Sequence, residues 1–224
     1  MVGADVRYIS EMLKRGLIFS PCLELGVGLE GANNRDLVTS SGITYFGTDI
    51  VPGEVVDFVI DLENPIDTIR NILGNSAPLG SILALNVLEH TFDPINILDK
   101  LFALLRTGGT CVIITPAVWP LHDFPIDCWR ILPTFYEEYA RRRGHSLVSE
   151  SLSFVGYGSV DQFAAEDGSR AFPPPSAKSS LHRQFSRAVH KGLNTFGRSM
   201  FFPSHIAVGC VIQRGVQTPA CKES

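Results

Sequence analysis

The stretch from Cys22 to Gly31 constrains the fold more than any other part of the chain, because an apolar run passes directly into closely spaced glycines. Its first residues, Cys-Leu-Glu-Leu, predict a buried strand that carries one acidic side chain, Glu24. Gly26 and Gly28 follow, and residues without a Cβ let the backbone turn tightly and approach a ligand closely. Amide groups at the start of the next helix would face the same space. The stretch therefore predicts a strand, a ligand-binding loop and a helix.

Predicted strands and helices alternate along most of the chain. The strands are predicted at 21–25, 43–50, 55–62, 81–90, 110–115, 146–155 and 205–213, and the helices at 5–16, 66–73, 93–108 and 133–143. This alternation is typical of an α/β, doubly wound, mostly parallel sheet that binds its ligand at the carboxyl ends of the strands. The polar residues that end four predicted strands would then share one edge of the sheet: Glu24, Asp49, Asp61 and Asn86.

Two residues bear on the choice of ligand. Asp49 lies about 20 residues beyond the glycines, where an acid at the tip of the second strand can accept hydrogen bonds from both hydroxyls of a ribose. Capping of the following loop is the alternative role for Asp49. Gly26, Gly28 and Gly31 also fit the dinucleotide pattern, but Glu24 would repel the pyrophosphate of NAD and attract the ammonium of a methionine moiety. The charge therefore favours S-adenosylmethionine.

Four segments resemble a known family in their order and spacing. Residues 24–28 resemble motif I of class I S-adenosylmethionine-dependent methyltransferases, and 46–49 resemble motif II. Residues 86–94 and 104–109 are similar to the Glu-His strand tip and the Leu-Arg-Gly-Gly helix exit of the small-molecule branch. The resemblance covers roughly residues 20–157. It implies a Rossmann-like sheet of seven strands with an antiparallel last strand and a helical insertion before it.

The same resemblance implies roles for residues on the donor side. The methionine end would be held by Glu24, Gly26 and Gly28, the ribose by Asp49, and the adenine would be flanked by Asp61 and Leu62, with the backbone of Asn86 lining the pocket. The chain departs from the family at one position, because Glu30 followed by Gly31 stands where a third alternate glycine is common.

Residues 122–130 provide candidates for the acceptor side. They resemble a loop of bacterial methyltransferases encoded with sugar and cell-surface polysaccharide genes, which implies a glycan or sugar-containing acceptor. A hydroxyl acceptor must release a proton, and an imidazole suits that task, so His90 and His122 are the candidate bases. Helix entry or packing is the alternative for His90. Asp127 and Arg130 either orient polar acceptor groups or pair with each other to hold the loop shut.

The C-terminal quarter of the chain is basic. Residues 168–222 contain eight Lys and Arg and no acidic residue, and 158–203 form the predicted insertion, which includes a basic amphipathic helix. This surface could meet an anionic partner or a membrane surface, or pack on its own domain. A net charge of −4 and the lack of an Asn-Pro-Pro-Tyr-type motif disfavour a nucleic-acid substrate.

Length and composition bound the remaining possibilities. At 224 residues, the chain fits one domain spanning 1–224. It has no apolar run long enough to span a membrane and no apolar signal segment, which predicts a cytoplasmic protein. Five cysteines without C-x-x-C spacing indicate neither a disulfide framework nor a zinc site. We therefore expect an O-methyltransferase acting on a sugar-containing or other small acceptor; the alternatives are an inactive donor-binding or scaffold domain and an NAD-dependent oxidoreductase.

Overall fold

A computed structural model of the chain describes residues 3–28, 33–119, 126–156, 159–162 and 206–215. The described helices are α1 (Gly3–Lys14), α2 (Arg35–Thr39), α3 (Ile66–Leu73), α4 (Pro94–Leu104) and α5 (Pro133–Arg143). The described strands are β1 (Cys22–Leu25), β2 (Tyr45–Asp49), β3 (Phe58–Val59), β4 (Leu79–Leu85), β5 (Leu105–Val118), β6 (Ser146–Leu147), β7 (Ser153–Gly156), β8 (Ser159–Gln162) and β9 (Ile206–Gln213).

The strands form one mixed sheet in the order β3-β2-β1-β4-β5-β9-β7-β8, with β6 also paired to β9. Strands β3, β2, β1, β4 and β5 run parallel to one another, and β9 runs antiparallel to β5. The predicted doubly wound α/β sheet with an antiparallel last strand is confirmed. The chain leaves β1 toward β2 and later returns to place β4 on the other side of β1. In open α/β sheets ligands bind at the carboxyl ends of strands where the order reverses in this way, so the ends of β1 and β4 are the place to look for a site.

The structure departs from the predicted elements in several places. Of the strand predicted at 55–62, only Phe58–Val59 pairs with β2. The helix predicted at 93–108 ends at Leu104, because the chain is already extended at Leu105, where β5 begins. The predicted strand at 146–155 is divided into β6 and β7, because Ser151 interrupts the pairing and its Oγ accepts from the Val211 N–H at 3.0 Å. Strand β8 lies at the start of the predicted 158–203 insertion. With this strand and the division of β6 from β7, the described sheet has nine strands where seven were expected. The predicted basic helix lies outside the described residues. The predicted strand at 81–90 ends at Leu85, because Asn86 has a left-handed backbone with φ 54°.

Both faces of the sheet are covered by helices, so the central strands are apolar on both sides. Successive side chains of a strand point to opposite faces. Leu23 and Leu25 accordingly pack with α3, α4 and α5, whereas Cys22 packs with α1 and α2. No helix within the described ranges is both long enough and apolar enough to cross a bilayer. The sheet is thus a rigid platform that fixes the positions of its strand tips.

Candidate functional site

The tips of β1 and β2 meet through Gly28 and Asp49. The Gly28 N–H donates to Asp49 Oδ2 at 2.9 Å, and the Val51 N–H donates to Asp49 Oδ1 at 3.2 Å. A Cβ on Gly28 would lie 2.8 Å from Asp49 Cγ, which is closer than real Cβ contacts allow, so only glycine fits this approach. The structure therefore brings the predicted glycine loop and the predicted ribose-binding acid into direct contact.

Gly26 and Asn86 directly follow the carboxyl ends of β1 and β4. Gly26 has φ +72°, and a Cβ built on it would lie 3.4 Å from Val87 Cγ2. Asn86 also has a positive φ, which is costly for a residue with a side chain, and its N–H donates to the Ile114 carbonyl of β5 at 2.8 Å. Its Nδ2 donates to Asp5 Oδ2 at 3.2 Å. The tip of β4 is thus held from β5 and from α1.

Glu24 is buried near the end of β1, with 2% of its surface exposed. Its carboxylate accepts hydrogen bonds from the Asn34 N–H at 2.8 Å, from Asn34 Nδ2 at 2.7 Å and from the Tyr45 hydroxyl at 2.6 Å. Burial raises the pKa of Glu24 above its ordinary value, while the hydrogen bonds from Tyr45 and Asn34 oppose that rise. Glu24 therefore ties β1 to β2 and to the start of α2.

Asn34 and Tyr45 were not predicted to belong to the site. A buried carboxylate needs hydrogen-bond donors, so the requirement for such residues was inferable from Glu24 itself. Which donors meet that requirement depends on the pairing of β1 with β2 and on the entry angle of α2, which no local pattern shows.

The residues predicted to flank an adenine differ in exposure. Asp61 is exposed and its Oδ1 accepts from the Glu63 N–H at 2.8 Å, which closes a turn after β3. Leu62 is half-buried and packs against the core on the α3 and α4 side. Ile50 and Val51, which directly follow Asp49, expose 59% and 49% of their surface. This apolar pair beside the acid was not predicted from the sequence.

Beyond the end of β4, the segment 126–130 is docked on the 3₁₀ turn Leu88–His90. The Cys128 N–H donates to the Glu89 carbonyl at 2.8 Å, and Trp129 Nε1 donates to the Thr91 carbonyl at 3.0 Å. His90 Nδ1 lies 2.6 Å from the Ile126 carbonyl oxygen. A carbonyl can only accept, so Nδ1 carries the proton and Nε2 is the acceptor of the neutral ring. His122, the other predicted base, lies outside the described residues.

Asp127 and Arg130 pair with each other within this segment. Arg130 Nη1 and Nη2 donate to the two carboxylate oxygens of Asp127 at 2.5 and 2.6 Å, and the Asp127 side chain is completely buried. Arg130 Nε also donates to the Trp119 carbonyl at 3.3 Å. Of the two roles considered for these residues, the contact observed is the pairing that holds the segment together. Contact of either residue with an acceptor stays a prediction.

Glu89 was missed, although it stands beside His90 in the Glu-His strand tip. Its side chain is fully buried, and neither carboxylate oxygen has a hydrogen-bond partner among the described residues. The pKa of Glu89 is raised to about 8, chiefly by burial; the negative charges of Asp127 and Asp5 contribute to the rise, while the backbone N–H of Glu89 itself and the charge of Arg130 oppose it. The described ranges contain no cluster of three or more His, Cys, Asp or Glu side chains suited to a metal ion.

Comparisons with known proteins identify the fold. No family model and no curated protein matches the chain. A methyltransferase structure from Burkholderia thailandensis, 1,6-didemethyltoxoflavin-N1-methyltransferase with bound 1,6-didemethyltoxoflavin and S-adenosylhomocysteine, matches with a TM-score of 0.55 at 13% identity, covering 96% of this chain and 79% of that chain. The chain has the fold of S-adenosylmethionine-dependent methyltransferases.

Two further structures support this methyltransferase fold. A chain from the complex between the Haloferax volcanii Trm112 methyltransferase activator and the putative methyltransferase gives a TM-score of 0.51 at 18% identity, covering 93% of this chain and 92% of that chain. A SAM dependent methyltransferase from Archaeoglobus fulgidus gives 0.50 at 15% identity, covering 93% and 94%. At these identities the methyltransferase likeness concerns the fold alone.

Replacing Asn34 tests whether Glu24 organises the β1 loop. Asn34→Ala removes one donor to a buried carboxylate, so we expect the free energy of unfolding to fall by about 1–3 kcal/mol in chemical denaturation. The deficit should grow as the pH rises and Glu24 ionises. Asn71→Ala, at an exposed position of α3, is the control and should cause no such loss. An Asn34→Ala protein as stable as the parent at every pH contradicts this role.

Proposed function

We propose that this chain is a cytoplasmic S-adenosylmethionine-dependent methyltransferase that O-methylates a sugar-containing or other small acceptor. The observation that carries the proposal is the contact between Gly28 and Asp49 at the carboxyl ends of β1 and β2. It creates a cradle without a Cβ beside an acidic side chain, in a fold shared with methyltransferases. This arrangement fits a nucleoside whose ribose hydroxyls donate to the acid.

Different residues on the donor side bind different parts of the donor. Asp49 already accepts two backbone hydrogen bonds, but two carboxylate oxygens provide about four acceptor positions, so it can also take ribose hydroxyls. Gly26 and Gly28 leave room for the methionine end, and Glu24 acts on that end by fixing the loop and by its negative charge. Asp61 and Leu62 flank the adenine, and the backbone of Asn86 lines the pocket. The exposed Ile50 and Val51 offer the base an apolar surface.

The donor supplies an electrophilic methyl group on a sulfonium, so the chain mainly has to orient an acceptor and accept its proton. His90 is suited to the second task, because its Nδ1 is engaged by the Ile126 carbonyl and Nε2 holds the lone pair. His122 is the second candidate base. Asp127 and Arg130 keep the segment 126–130 in place and orient the acceptor. Trp129 of this segment and the nearby Phe92 expose 44% and 80% of their surface. Such exposed aromatic rings suit one face of a sugar ring.

The basic C-terminal region provides a further part of the proposal. Residues 168–222 hold eight Lys and Arg without an acid, and most of them lie beyond the described residues. Such a surface suits an anionic partner or an acceptor that carries phosphate. We further propose that residues 1–224 form one domain, in which 158–203 is an insertion that meets the acceptor or a partner.

A binding titration tests the donor site. Gly28→Ala would place a methyl group 2.8 Å from the Asp49 carboxyl carbon, so we expect its affinity for S-adenosylhomocysteine, measured by calorimetry, to fall by about tenfold or more. Gly53→Ala is the matched control, since a Cβ there only touches Val56 Cγ2 at 3.4 Å. NAD should not bind the parent protein. Equal affinities of both variants, or binding of NAD in place of the nucleoside, would overturn the proposal.

Replacing His90 by Asn separates its two ring nitrogens. The Asn Nδ2 can still donate to the Ile126 carbonyl, whereas the acceptor at Nε2 is lost. We expect transfer of labelled methyl groups to soluble sugars and lipid-linked glycans to fall about 100-fold or more, with little change in S-adenosylhomocysteine affinity. His145→Asn is the control, because His145 stacks on Phe102 away from the end of β4. Undiminished transfer by His90→Asn would assign the base elsewhere.

A further inference from the structure

The burial of the Glu89 carboxyl group is not explained by the proposed donor site. Its carboxyl group is fully buried at the tip of β4, and neither of its oxygens has a hydrogen-bond partner in the described part of the chain. Leaving a buried polar group without a partner is costly, and native proteins avoid it except where the group has a use. A carboxyl group that only filled space here could be replaced by an apolar side chain at a gain in stability.

The surroundings of Glu89 come from three elements. Asp5 of α1 and Asp127 of the docked segment place negative charge near it, Arg130 places positive charge near it, and Tyr136 of α5 lies close enough for the charge of Glu89 to raise the pKa of its phenol. A basic group also lies directly beside it, because His90 Nε2 is 3.9 Å from Glu89 Oε1. That nitrogen is the acceptor of the neutral imidazole, as the contact of Nδ1 with the Ile126 carbonyl requires.

We propose that Glu89 is a positioning residue that acts through His90, holding the imidazolium that forms when His90 takes the proton of the methyl acceptor. The proposal rests on the proposed methyltransferase function and adds a residue to it. The two side chains form the Glu89–His90 pair, in which the carboxylate faces the nitrogen that receives the proton.

The proton and electrons balance within this pair. The acceptor oxygen forms its bond to the methyl carbon while the bond from that carbon to sulfur breaks, and sulfur keeps the electron pair. The hydroxyl proton passes to His90 Nε2, which becomes an imidazolium. Its positive charge is then compensated by the Glu89 carboxylate 3.9 Å away, and the proton leaves to solvent after the product departs.

Because burial raises the pKa of Glu89, it sets the pH above which the carboxylate of the Glu89–His90 pair is charged. The pKa of Glu89 is raised to about 8, so below that pH Glu89 carries a proton and cannot compensate the imidazolium. Methyl transfer to a hydroxyl should therefore increase as the pH rises through this value, by about tenfold between pH 7 and pH 9 for one ionising group. Between the ordinary Glu range and about pH 8, Glu89 is protonated in the folded state and ionised in the unfolded chain. The free energy of unfolding therefore falls as the pH rises through this range.

Nuclear magnetic resonance tests the pair without an acceptor. The full chain, labelled with ¹³C at Glu carboxyls and ¹⁵N at His rings and saturated with S-adenosylhomocysteine, is titrated from pH 5 to pH 10. We expect one carboxyl carbon to titrate near pH 8 and a His90 ring nitrogen to shift in the same step. Glu89→Gln should abolish both changes. Glu138→Gln is the control, because Glu138 lies on the surface of α5 beside Arg141 and Arg142, where their hydrogen bonds lower its pKa to about 2.

The outcomes separate the pair from the proposed function. A Glu89 carboxyl that titrates in the ordinary Glu range, or that titrates near pH 8 without moving the His90 signals, overturns the inference even if S-adenosylhomocysteine binds. Failure of the protein to bind S-adenosylhomocysteine overturns the proposed function, and the titration is then read on the protein alone. If Glu89→Gln does not fold, His90→Asn is used in its place. We then expect Glu89 to titrate at a different pH in the variant than in the parent protein. An unchanged titration of Glu89 rejects the pair.

Discussion

A buried carboxylate at the end of β1 is the constraint on which the donor side of this protein depends. Glu24 accepts three hydrogen bonds, two from Asn34 and one from Tyr45, and so joins β1, β2 and the start of α2 around one charged group. A carboxylate removed from water needs such donors, so Glu24 fixes Asn34 relative to the ends of β1 and β2. Beyond these contacts Gly28 lies against Asp49, where we propose that the nucleoside of the methyl donor binds.

The proposed acceptor side has a different basis, because a strained backbone position and a buried carboxyl group without a described hydrogen-bond partner lie together at the tip of β4. Asn86 holds a positive φ there, and the segment 126–130 is fastened to the following turn by hydrogen bonds from Cys128, His90 and Trp129. The bidentate pair of Asp127 with Arg130 stiffens that segment. The surrounding structure thus maintains an arrangement that would not be stable alone, and such arrangements are typical of functional sites.

Much of the fold could be predicted because the pattern of apolar residues and breakers is strong. Helices α3 and α5 have the predicted bounds, and Asp93-Pro94 begins α4 where a capping acid followed by proline predicts it. What local patterns could not show were contacts between distant segments, such as Tyr45 with Glu24. Glu89 was overlooked for a related reason: its significance lies in the absence of a described partner and in the distance to His90 Nε2, and both become visible only once the chain is folded.

The central claim is that the carboxyl ends of β1 and β2 bind the nucleoside of a methyl donor. The most direct measurement is a crystal structure of the protein with S-adenosylhomocysteine. The account predicts both ribose hydroxyls within hydrogen-bond distance of the Asp49 carboxylate, with the amino acid end over Gly26 and Gly28 and the Glu24 hydrogen bonds retained. A nucleoside bound away from Asp49, or one that displaces Gly28 and breaks the contacts of Glu24 with Asn34 and Tyr45, would contradict it.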